Sequence, residues 1–99
     1  SGAGVGAASE VETAATAVGD AARVGGAERE AYGGCGAVDA CVDALKWSEA
    51  VKAWSAWSAC ARALGNLSYD CGGNRAAVAA AGGVAPLRLG LDAGLATTA

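Results

Sequence analysis

A gap-free internal match at a spacing of 46 residues limits this chain more than any other feature. At that shift Arg29 falls on Arg75, Val38 on Val84 and Leu45 on Leu91. Val18 falls on Leu64, Tyr32 on Val78 and Cys41 on Leu87, apolar for apolar. Gly19, Gly26 and Gly36 fall on Gly65, Gly72 and Gly82. Coincident alanines, such as Ala15 with Ala61 and Ala17 with Ala63, weigh little in a chain with 28 Ala and 16 Gly. A repeat in the forties with helical patterning points to a solenoid of stacked helix pairs or triplets.

The helices can be placed within each copy. Asn74 to Ala81 reads as a short helix, capped by the Asn74 side chain and stopped by Gly82 and Gly83. Val84, Leu87 and Leu91 then recur along one face of a second helix, with Pro86 in its first turn. The earlier copy has Ala27 to Cys35, then Gly36, then Val38 to Leu45. Gly33 and Gly34 weaken the first of these. The longest helix is expected from Ser48 to Tyr69, with Ser48 as its cap and Trp54, Trp57, Ala61, Leu64 and Ser68 on one face. Val11 to Arg23 is its counterpart upstream. Residues 11 to 95 are thus expected to be almost wholly helical. Breaks fall near Gly25-Gly26, Gly36, Trp47, Cys71 to Gly73 and Gly82-Gly83. The surplus residues between Leu45 and Asn66 are expected to lengthen the third helix of the unit. A flexible Gly/Ala-rich segment, 1–10, precedes two units at about 11–47 and 48–93, and a short tail, 96–99, follows.

Composition sets the size of the core. Leu, Val, Trp and Tyr number seven, nine, three and two, and there is no Ile, Phe or Met. Ala forms helix at no side-chain entropy cost but buries little area. The formal charge is −3 with scattered Lys and Arg, so no basic stripe exists for phosphates and nucleic acid is not the expected partner. The longest apolar run, Ala76 to Leu87, is 12 residues and is broken by Gly82, Gly83 and Pro86, so no direct membrane span is expected. The chain opens without Met, as a trimmed or processed product does, and Ser1 to Ala8 resembles the remnant of a removed targeting segment.

No catalytic set is legible. His is absent, and no Ser or Cys has a candidate base beside it, so the chain reads as no enzyme. Cys35, Cys41, Cys60 and Cys71 show no C-x-x-C spacing. A Cys-only zinc site and a disulfide pair are alternatives, but thiols packed as small hydrophobes are the simplest reading. Cys35, Cys41 and Cys60 are expected in the core. Neither metal nor other cofactor is expected.

From Ala59 to Leu91 the chain resembles the armadillo repeat. Ala63, Leu64, Asn66 and Leu67 match the end of that family's third helix. Asn74, Arg75, Val78, Ala81, Gly82, Gly83 and Val84 match the first helix and its glycine turn. Pro86, Leu87 and Leu91 match the second helix, with Gly90 where Leu is more usual. The upstream copy is degenerate, with Asp20 in place of the Asn. The resemblance implies an all-α right-handed superhelix of about two three-helix repeats, with third helices lining a concave groove that binds extended peptides or proteins. In the importin-α branch a Trp stands four residues before the Asn; here Arg62 and Thr16 hold that place, so the Trp–Asn ladder is absent.

The expected function is a non-catalytic protein-binding scaffold. The alternative is a small structural subunit docked permanently in a larger assembly, in the cytoplasm or in an organelle such as a plastid or mitochondrion. Trp54, Trp57, Arg62, Asn66, Leu91 and Leu95 are the candidate partner-binding residues. Trp combines large apolar area with a polar handle and is favoured at interfaces. In an Ala-rich chain the same tryptophans are also the only large core fillers. Two repeats without polar caps bury too little alone, so further repeats or partner proteins are expected to cover their ends.

Overall fold

A computed structural model describes the backbone from Gly2 to Thr98 and the side chains of residues 6–93. Six helices follow one another: α1 Gly2–Ala22, α2 Gly26–Gly34, α3 Ala37–Val51, α4 Trp54–Ser68, α5 Gly72–Ala80 and α6 Val84–Thr98. There is no strand among the described residues. The chain is compact, with a radius of gyration of 13.0 Å.

The 46-residue match is written into the local geometry. Arg29 donates from Nη1 to the Ala22 carbonyl at 3.1 Å, and Arg75 donates to the Ser68 carbonyl at 3.2 Å. Both pairs are seven residues apart and superpose under the shift. In each, a cation reaches the carbonyl end of the preceding helix, where partial negative charge gathers. Gly36 and Gly82 both take positive φ, 84° and 78°, in the turn before a long helix. After α5 the turn closes by Gly83 N–H to Val78 O and Gly82 N–H to Ala79 O, a Schellman pair that needs the left-handed residue.

Helices at equivalent places lie together: α1 with α4, α2 with α5 and α3 with α6. α1 and α4 run side by side in one direction. Ala8 and Glu12 line a depression with Ala53 and Trp54, and Gly19 meets Arg62 and Ala63. A Cβ at Gly19 would lie 2.7 Å from the Arg62 guanidinium and would require that flexible side chain to shift. α3 lies across α4 and fills the centre. Val38, Val42, Leu45, Cys60, Ala63, Leu64 and Leu67 form the core at 2% exposure or less.

Four expectations are corrected. First, α3 runs unbroken past Trp47 to Val51, and the long helix expected from Ser48 starts only at Trp54. The stripe Val38, Cys41, Val42, Leu45 continues to a buried Ser48, whose hydroxyl donates to the Ala44 carbonyl at 2.7 Å instead of capping a helix. The break comes at Lys52, with φ 60°, where Ala53 N–H bonds Ser48 O and Lys52 N–H bonds Glu49 O. The surplus residues therefore lengthen the second helix of the unit.

Second, Asn74 does not cap α5, which starts at Gly72 without a side-chain cap. It is buried, and its amide donates to the Arg29 carbonyl at 2.9 Å and the Leu67 carbonyl at 2.8 Å, tying α2, α4 and α5 together. Gly33 lies against that side chain with no room for a Cβ. Third, Cys35 is exposed, because α2 is a surface helix that buries none of its residues. Fourth, α1 starts at Gly2, ahead of the expected Val11, and its Ala8, Ser9 and Glu12 lie beside the start of α4.

Candidate protein-binding surfaces

Three surfaces carry the sequence-derived candidates. The first is the polar face where α1 meets α4. Arg62 forms an ion pair with Asp20 at 2.7 Å. Both side chains are substantially exposed, so the pair contributes little to stability. Asn66 donates its amide to the Gly19 carbonyl at 2.9 Å, so this amide fastens one helix to the other. Beside it Arg23, Arg29, Gly65, Asn66 and Tyr69 line a depression of about 270 Å³. The Arg29 guanidinium stands 5.2 Å from the centre of the Tyr69 ring, a cation–π contact, and its Nε is buried without a hydrogen-bond partner. Arg23 and Tyr69 went unnoticed in the sequence, because only the fold brings the end of α1 to the end of α4.

The second surface is the tryptophan pair. Trp54 and Trp57 meet edge to face with centroids 6.3 Å apart. Trp57 is buried and donates its indole N–H to the Pro86 carbonyl at 3.3 Å. It is a core filler that locks α4 to α6, and Gly90 gives it room: a Cβ there would sit inside the indole ring. The Gly where the resemblance predicts Leu thus has a steric cause. Trp54 is 38% exposed and remains open to a partner.

The third surface is apolar and has two parts. On α6, Val84, Leu89 and Leu91 are 63%, 54% and 58% exposed. The Leu95 side chain lies outside the described residues. Elsewhere, Val11, Ala15 and Val18 of α1 and Ala37, Cys41 and Ala44 of α3 line an open apolar groove of about 160 Å³.

The cysteines divide by depth. Cys41 and Cys60 are buried, Cys71 is half-buried and all four are free thiols. Burial pushes the Cys60 thiol up to about 11, with neighbouring Cys41 adding to the shift and a hydrogen bond with Ser48 opposing it. Burial raises Cys41 as well. Thiols so protonated are poor nucleophiles. Among the described residues no single helix is long and apolar enough to cross a membrane. Comparison with protein-family models, curated proteins and solved structures gives no match to this chain.

Proposed function

We propose that this chain is a non-catalytic protein-binding module, an α-solenoid segment of armadillo-like repeats that holds partners through its helical surface. The observation that carries the reading is the apolar exposure on α6 at Val84, Leu89 and Leu91. Val84 and Leu91 share one face of that helix and Leu89 projects from the other side, and large apolar side chains left in water favour a surface for another protein. The short, Ala-rich core supports the same view, since half-burying three such side chains forfeits about 2–5 kcal/mol. Partners of opposite chemistry have a second place to bind: Arg23, Arg29 and Tyr69 offer cations and an aromatic face to an acidic peptide.

The test uses proximity crosslinking from the chain in its native cells, with Leu91→Asp and Arg23→Glu as separate variants. The reading expects a discrete set of crosslinked proteins that Leu91→Asp removes. A set unchanged by both variants, or no crosslinked protein, overturns it. The permanent-subunit alternative is favoured instead if the chain is folded only in the presence of its crosslinked partner.

A further inference from the structure

We propose that the two apolar ends of this chain are complementary, and that the partner they fit is a second copy of the chain bound head to tail. This rests on the protein-binding reading and names the partner.

The internal repeat supplies the argument. One helix triplet, α2–α3–α4, is complete. Among the described residues α5 and α6 repeat α2 and α3 without an equivalent of α4 on them, and α1 repeats α4 without equivalents of α2 and α3 on it. What each end lacks, the other end carries. Under the 46-residue shift Val84 and Leu91 correspond to Val38 and Leu45. The α3 residues are 2% and 0% exposed on a helix that packs chiefly against α4, whereas Val84 and Leu91 are 63% and 58% exposed. The missing cover is an equivalent of α4, and α1 is that equivalent.

The groove at the other end gives the same answer independently. Ala14 and Ala40 line it and are exposed, while their counterparts Cys60 and Pro86 are buried. In the complete copy, α3 packs on both α4 and α6, the helices that carry those counterparts. The groove between α1 and α3 therefore has the shape of a missing second helix, and α6 is the second helix left uncovered. Joining α5 and α6 of one copy to α1 of the next rebuilds the triplet already present inside the chain. One substitution weakens this joint relative to the internal one. Arg88 stands where Val42 is fully buried, and it pairs with Asp92 at 3.8 Å. Its stem can still lie along the seam with the charged head at the rim. Two different patches meet at such a joint, so association does not close at a dimer and mass grows with concentration.

Sedimentation equilibrium tests this from micromolar to millimolar protein. Two exposed positions provide the variants, Leu91→Asp for the tail and Ala14→Arg for the groove, with far-UV circular dichroism confirming that each keeps its helices. The wild type should rise in average mass above its 9.4 kDa monomer as concentration increases. Each variant alone should stay monomeric. Mixed together, they should give a dimer and nothing larger, because one keeps an intact groove and the other an intact tail. A mixture that fails to dimerise, or variants that associate as the wild type does, overturns the head-to-tail joint. If the wild type stays monomeric at every concentration while Leu91→Asp still abolishes crosslinking to other proteins, the second copy is the wrong partner and the protein-binding reading stands. If the wild type neither associates nor crosslinks, both fall.

Discussion

A methyl group added at Gly90 runs into the Trp57 indole, whereas one added at Gly34 meets open space. Both glycines lie in helices, so propensity alone favours Ala at each by about 1 kcal/mol. Overpacking reverses the sign at Gly90. Urea unfolding should find Gly90→Ala destabilised by about 1–3 kcal/mol and Gly34→Ala mildly stabilised. Equal stabilisation of the two would mean that Trp57 is not seated against α6. Cys60 gives a second test. Its thiol holds its proton up to about 11, against an ordinary value of 9.0. Between those values the unfolded chain binds fewer protons than the folded one, so stability falls as pH rises and is fully present below 9. Denaturant midpoints across this window should show a loss approaching 2–3 kcal/mol, roughly the size such a shift implies, that Cys60→Ala removes. A wild-type slope no steeper than that of the variant would place the thiol in water. In the native state a thiol reagent should label Cys35 first, Cys71 next, and Cys41 and Cys60 only on unfolding.

Elements were legible where a residue type is tied to a backbone conformation. The turns at Gly36 and Gly82 stand where the paired glycines placed them, because both need positive φ. The turn between α3 and α4 was invisible for the opposite reason: its left-handed residue is Lys52, and no glycine marks it. Ser48 was misread because a serine caps a helix or bonds back to the carbonyl four residues earlier, and only its burial decides which. The same ambiguity misplaced Asn74, whose amide bridges three helices. A left-handed non-glycine residue costs about 1 kcal/mol or more, while glycine adds a smaller entropy to the unfolded state. Lys52→Gly should therefore raise stability by about 0.5–1 kcal/mol in thermal or urea unfolding. A loss of stability there would mean that α3 and α4 are joined some other way. Of the candidate binding residues, only exposure separates Trp54 and Leu91 from Trp57, and the sequence carries no exposure signal in an Ala-rich helix.

For the whole molecule, the expected all-helical build stands in six helices, and Arg29 and Arg75 make equivalent contacts 46 residues apart. Val84, Leu89 and Leu91 stay in water while the core is built largely from Ala, Val and Leu, and the proposed reading rests on that contrast. Small domains hold only about 5–15 kcal/mol of stability, so uncovered ends take a large share of it. The decisive measurement is the thermal unfolding of residues 1–99, followed by far-UV circular dichroism at a dilution where sedimentation finds only monomer. The account predicts a broad, low transition that moves upward once the ends are covered by a binding protein. A sharp, cooperative transition well above room temperature in the bare monomer would contradict it, because a chain that stands so firmly alone has no need of a partner at its ends.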